Sequence, residues 1–166
     1  MIRRLALAAV VLLLMSSCSV GLEDLRAGPV PICDTTSRGM LILMAQALPN
    51  ADYVPCFSSM PDDWALESTE IETGGVELSV DRKGVGDVEI EFGPSCAPEG
   101  DRVVLDLPAD VQAFESSGTV DVTRWLIFPG GCVSIDSVGG LDLSEMVNSV
   151  LLVSRADLRL ASGLEL

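Results

Sequence analysis

Between residues 67 and 92 apolar and polar positions alternate one by one. Thr69, Ile71 and Thr73 are interleaved with Glu70 and Glu72. Val76, Leu78 and Val80 alternate with Glu77, Ser79 and Asp81, and Val88, Ile90 and Phe92 with Asp87, Glu89 and Glu91. A period of two is that of a strand with one buried face. Gly74-Gly75 reads as a two-residue hairpin turn, and Arg82-Lys83-Gly84-Val85-Gly86 as a second turn. The pattern predicts a three-stranded antiparallel meander, apolar on one face and acidic on the other.

The pattern is weaker elsewhere. Met40-Leu41-Ile42-Leu43-Met44-Ala45 follows the candidate N-caps Asp34, Thr35, Thr36 and Ser37 and precedes Pro49, which predicts a short helix. It is apolar nearly all round, so it is expected to be buried, with its methionines as core filler rather than a metal or cofactor box. Pro55-Cys56 and Met60 to Trp64 read as loop. Arg102 to Leu107, Val120 to Phe128 and Cys132 to Val138 read as strands, with Pro129-Gly130-Gly131 as a turn or bulge. Gly139-Gly140 leads into a C-terminal amphipathic helix. Asp142 and Glu145 suggest its capping box, and Leu143, Met146, Val147, Val150, Leu151 and Leu158 recur at helical spacing. The fold class expected is α+β: an antiparallel sheet of about five to six strands with one helix near each end.

The N-terminus changes the picture of where this domain resides. Arg3 and Arg4 precede an unbroken apolar run, Leu5 to Met15, and then Ser16-Ser17-Cys18. The run is too short to span a bilayer, which takes roughly 20 apolar residues, and reads as a secretory signal. Leu14-Met15-Ser16-Ser17-Cys18 resembles a bacterial lipobox, in which cleavage falls before the cysteine and the cysteine is acylated. The alternatives are an ordinary cleaved signal with an incidental Cys18, or an anchor helix. The organisation expected is a signal peptide at 1–17, a lipidated tether at 18–31 and an extracytoplasmic domain at 32–166. Acyl chains would hold it on the membrane at about 0.8 kcal/mol per buried methylene.

Export bears on the cysteines. Beyond Cys18 there are Cys33, Cys56, Cys96 and Cys132, an even number without Cys-x-x-Cys spacing, which reads as two disulfides. Cys33–Cys56 with Cys96–Cys132 is the favoured pairing. The first would bracket the short helix, and the second would tie the end of a hairpin to a later strand. Crossed pairing stays open.

Composition excludes more than it suggests. The 166 residues carry 10 Lys plus Arg against 25 Asp plus Glu and no His, a net charge of −15. Without Arg3 and Arg4, eight basic residues face 25 acidic ones, a side-chain charge of −17. Such a chain does not bind nucleic acid by neutralising phosphates. Without His there is no Ser-His-Asp triad, no Cys-His dyad and no imidazole metal ligand. No Gly-x-Ser-x-Gly elbow, Ser-x-x-Lys motif or phosphate-cradling loop occurs, so no cofactor is expected.

Two stretches resemble a family of exported actinobacterial lipoproteins to which no activity is attached. One runs from Ala47-Leu48-Pro49 through Pro55-Cys56 to Pro61-Asp62-Asp63-Trp64, and the other is Phe128-Pro129-Gly130-Gly131-Cys132; the similar region spans roughly Cys33 to Gly163. Glycine is expected before the tryptophan, and Asp63 stands there. The resemblance implies export and disulfides.

The acidic face is the one candidate for chemistry. A tight turn at Gly74-Gly75 would set Glu72 opposite Glu77, and the second turn would set Glu77 opposite Glu91 and Ser79 opposite Glu89. Glu72, Glu77 and Glu91 would then form a row across three strands about 4.8 Å apart, where like charges destabilise a sheet. Three readings follow: a solvated outer face, weak divalent-cation binding through carboxylate oxygens, or a face for a basic partner. Paired carboxylates could also hydrolyse glycosides, but only seven aromatic residues are available to line a sugar cleft. Trp64 and Trp125 are expected in the core or at its rim. The function expected is a non-enzymatic binding or accessory module of the cell envelope. Its partners would be the membrane, through the N-terminal lipid, and an envelope protein or the cell wall.

Overall fold

The computed structural model describes residues 29–34, 37–117, 122–137 and 144–162. The expected signal peptide, Cys18 and most of the tether lie outside the described residues, as do Thr35, Thr36, Gly139-Gly140, Asp142 and Leu143.

The alternating stretch forms a meander of β2 (Trp64–Glu72), β3 (Gly75–Arg82) and β4 (Gly86–Gly93). It continues into a seven-stranded sheet with β5 (Asp101–Val103), β6 (Gln112–Ser117), β7 (Val122–Phe128) and β8 (Gly131–Ser137), in the order β2-β3-β4-β8-β7-β6-β5. Every neighbouring pair is antiparallel. The remaining strands, β1 (Tyr53–Phe57) and β9 (Val150–Ser154), pair antiparallel as a separate two-stranded sheet. The helices are α1 (Arg38–Ala47), α2 (Ser144–Ser149) and α3 (Arg155–Ser162). The class is α+β, but the strands outnumber the five or six expected.

One face of the large sheet is the core. The row Ile71, Val76, Phe92, Val133, Leu126, Ala113 and Val103 runs across all seven strands in register. Its members from Val76 to Ala113 are buried. Leu41, Met44, Val54, Phe57 and Met146 are buried in the same core from α1, β1 and α2. The α1 methionines are core filler, as expected, although the helix is not buried all round, since Leu43 is 51% exposed. Ser37 is its N-cap residue, yet its hydroxyl donates to the Val30 carbonyl (2.7 Å) instead of to the helix.

Both favoured disulfides are present. Cys33–Cys56 (Cα–Cα 5.1 Å) brackets α1 and ties the incoming chain to β1. The N–H groups of Cys33 and Phe57 donate to the carbonyls of Phe57 and Pro31, both at 2.8 Å, so the end of the expected tether is bonded into the fold. Cys96–Cys132 (Cα–Cα 6.0 Å) holds the β4–β5 connection against β8. That connection, 94–100, passes β8, β7 and β6, roughly 19 Å at about 4.8 Å per strand, which seven residues can span.

Four expectations are corrected. Tyr53-Val54-Pro55-Cys56-Phe57 is a strand, not loop. It is buried over four of its five positions, so no alternation marks it, and proline argues against a strand by pattern alone. β6 was not foreseen; its Ala and Ser have little strand propensity, and pairing with β7 imposes the conformation. The strand at Arg102 ends at Val103, and Val104 is 97% exposed. The C-terminal helix is broken: Val150 to Ser154 is strand β9, between α2 and α3. Val150 and Leu151 fit helical spacing, but β1 offers a free edge to that apolar run.

The 48–52 loop and the 129–131 turn meet in space. The Asp52 N–H donates to the Pro129 carbonyl (3.0 Å), and Gly130 (φ 76°) lies so close to the Asn50 carbonyl that a Cβ there would overlap it. Arg155, 8% exposed, closes the junction: its guanidinium donates to the Leu48 carbonyl (2.9 Å) and its N–H to that of Asp52 (2.8 Å). A cation at the carbonyl end of α1 opposes the helix dipole. Burial lowers the pKa of Arg155, with the Arg159 charge adding and Asp52 opposing. The junction is thus structural: one loop seated in one turn.

Candidate functional site

The carboxylates come from the face of the meander opposite the core. Glu77 lies directly opposite Glu91, as the pattern predicts, and Ser79 opposite Glu89. On the other side of Glu77 the residue is Glu70, not Glu72, which is opposite Gly75 at the strand end. The turn is Thr73-Gly74, with Gly74 at φ 97°, a conformation in which glycine costs little. Its N–H donates to the Ala47 carbonyl at the end of α1 (2.9 Å), which fixes the turn in place. Moving the turn by one residue moves the register by two, so every apolar residue stays on the core face. Apolar alternation is therefore blind to this shift, and Glu70 was missed for that reason. A second irregularity, between Leu66 and Ser68, leaves Glu67 as an unpaired bulge.

The row is thus Glu70, Glu77 and Glu91 on three adjacent strands, continued on the same face by Ser134, Trp125, Phe114 and Arg102. Glu89 lies one step along β4, opposite Asp136 of β8. Glu72 is not in the row but stands at the same open groove, of about 410 Å³, as Glu70, Glu77 and Glu91. Ser95 and Cys96 form its wall, so the Cys96–Cys132 disulfide holds that side in place. Among the described residues, no Lys or Arg lines the groove. Partial loss of water pushes the Glu77 carboxyl above its ordinary value, and the charges of Glu70, Glu89 and Glu91 push the same way. This is the response expected of the central member of a like-charged row.

Among the described residues, no three His, Cys, Asp or Glu side chains stand together where they could hold a metal ion. The carboxylates are strung along a line rather than converging on a point, so the groove suits an extended cationic surface better than a single ion. The tryptophans differ: Trp64 is buried with the Arg82 guanidinium 5.7 Å from its ring centroid, whereas Trp125 is half-buried on the acidic side of the sheet. A second cleft, of about 380 Å³, holds Tyr53, Asp110, Arg155 and Arg159. The Tyr53 hydroxyl donates to Asp110 (2.8 Å), a bond that raises its pKa.

No protein-family model, curated protein or solved structure matches this chain. Among the described residues, no helix is long and apolar enough to cross a membrane.

Proposed function

We propose that the chain is a non-enzymatic binding module of the cell envelope, lipid-anchored at Cys18 on the extracytoplasmic face of the membrane, whose acidic groove takes a basic surface of an envelope protein or of the cell wall. The observation that carries this reading is the groove itself, with four glutamates and, among the described residues, no base, and with a raised carboxyl at its centre. A row of like charges costs stability, and an arriving cationic partner turns that cost into affinity and a faster encounter. The disulfides fit an oxidising compartment, and the apolar run ending in Ser16-Ser17-Cys18 points the same way.

Two measurements test it. The Cys18→Ala variant should lose fatty-acid labelling and leave the membrane; retained labelling would end the anchoring claim. For the groove, a fluorescent oligolysine peptide serves as the cationic probe. Glu70→Gln/Glu77→Gln/Glu91→Gln should weaken its binding at least tenfold, whereas the charge-matched control Glu67→Gln/Asp87→Asn/Glu99→Gln should not. Equal loss in both variants would mean that only net charge matters and that the groove is not a site. A rise in melting temperature with millimolar Ca²⁺, lost in the first variant only, would replace the basic partner by a metal ion.

A further inference from the structure

The two edges of the seven-stranded sheet are protected unequally. Edge strand β2 carries exposed Glu67, Glu70 and Glu72 and the bulge at Glu67. Charges and bulges are how sheets prevent edge-to-edge growth. Among the described residues, edge strand β5 has no bulge, and its Asp101 and Arg102 stand exposed. It pairs with β6 over three residues, and its chain then runs on as Val104 (97% exposed) and Leu105 (36%). An open groove of about 330 Å³ lies between Val103, Val104, Leu105 and Leu107 on one side and Val111 on the other. The sequence reading runs this strand from Arg102 to Leu107, whereas pairing with β6 ends at Val103, so residues 104–107 are left without a strand partner.

We propose that the β5 edge binds a second copy of this chain, edge to edge and antiparallel, with Val104 on the two-fold axis. The segment is self-complementary in that register. Arg102 falls opposite Asp106 of the second copy, and Asp106 opposite its Arg102. Val103 faces Leu105 of the second copy, and Val104 faces Val104. A shift by one residue in either direction would set the core-facing Val103 against an outward position, Val104 or Asp106, and in one direction also Asp101 against Asp106, where like charges repel. Parity is also satisfied: Val103, Leu105 and Leu107 share the face that Val103 already presents to the core, so the apolar row Val133–Leu126–Ala113–Val103 would continue across the axis. Residues 104–107, which belong to no strand here, have to extend, opening the bend in which the Leu107 N–H donates to the Leu105 carbonyl (3.0 Å). The contact is small, so the dimer is weak, with dissociation on the order of 100 µM. Each copy carries −15, so added salt should strengthen it by screening the long-range repulsion.

Cross-linking of the full chain, with Cys18→Ala in every variant so that no other free thiol remains, tests the register. Cα atoms opposite one another in an antiparallel pair lie about 4.5–5.5 Å apart, within disulfide reach. Val104→Cys should therefore form a disulfide-linked dimer under mild oxidation, whereas Val85→Cys, on a turn and 59% exposed, should not. Adding Arg102→Asp to Val104→Cys should reduce the cross-linked fraction at least fivefold, and adding both Arg102→Asp and Asp106→Arg should restore it. Cross-linking at Val104 no greater than at Val85, or failure of the double exchange to restore it, would overturn the proposal.

Discussion

The seating of the 48–52 loop in the 129–131 turn can be tested by one methyl group. Gly130 and Gly84 have nearly the same backbone conformation, φ 76° and 73°, but different surroundings. A Cβ at Gly84 meets nothing within 4 Å, whereas at Gly130 it overlaps the Asn50 carbonyl oxygen and comes within 3.1 Å of the Ala51 Cα. Both substitutions to alanine pay the left-handed strain of about 1–2 kcal/mol. Gly130→Ala must also displace main chain that is tied to Pro129 by a hydrogen bond, an overpacking cost of roughly 1–3 kcal/mol. The expected losses are about 1–2 kcal/mol for Gly84→Ala and about 2–5 kcal/mol for Gly130→Ala. For a chain of this size 1 kcal/mol is worth about 2–4 °C in Tm. Urea melts of the oxidised protein, followed by tryptophan fluorescence, measure both, with an unchanged m-value as the check that only the folded state is affected. Asparagine accepts the left-handed conformation, so Gly84→Asn should recover part of the loss and Gly130→Asn should not. Equal destabilisation by the two alanine substitutions would refute the close docking of loop and turn.

Glu77→Gln removes the centre of the carboxylate row and should stabilise the protein at neutral pH by about 0.5 kcal/mol, the size of a solvent-screened cross-strand pair. A carboxyl with a raised folded pKa binds its proton more tightly in the native state, so its penalty is absent below the ordinary value of 4.5 and sets in as pH rises through the folded pKa. The wild type should therefore gain stability on mild acidification from neutral toward that window, and the variant should gain less; parallel pH profiles would remove Glu77 from the account. Asp63, at φ 66° before Trp64, occupies a left-handed position, and Asp63→Gly should raise stability by up to about 1 kcal/mol in thermal melts, while a loss would show that its side chain matters more than its backbone. Removing either disulfide should cost roughly 3–4 kcal/mol by chain entropy, for sequence separations of 23 and 36 residues. Only the loss of Cys96–Cys132 should also weaken oligolysine binding at a temperature where both variants are folded, because that bond holds the groove wall.

Local pattern was enough wherever a segment's own residues decide its environment. The meander is such a case: its strands have one buried and one wet face, and the alternation of Val76, Leu78 and Val80 with Glu77, Ser79 and Asp81 records that directly. The cysteine pairing was legible only as a preference, with crossed pairing left open until the fold set Cys56 on β1 beside Cys33 and Cys132 on β8 beside Cys96. Where burial is two-sided or pairing is distant, the same reasoning fails. β1 is buried over Val54 to Phe57 and so has no alternation to read. β9 pairs with a strand about a hundred residues earlier, and an apolar run of four, Val150 to Val153, cannot declare whether a helix or a sheet edge will receive it. The acidic row shows the limit most finely. Parity placed Glu77 and Glu91 on one face from sequence alone, because a one-residue slip would bury charge. A two-residue slip buries nothing, so the choice of Glu70 over Glu72 was left to the Thr73-Gly74 turn and to the helix-end carbonyl of Ala47 that holds it.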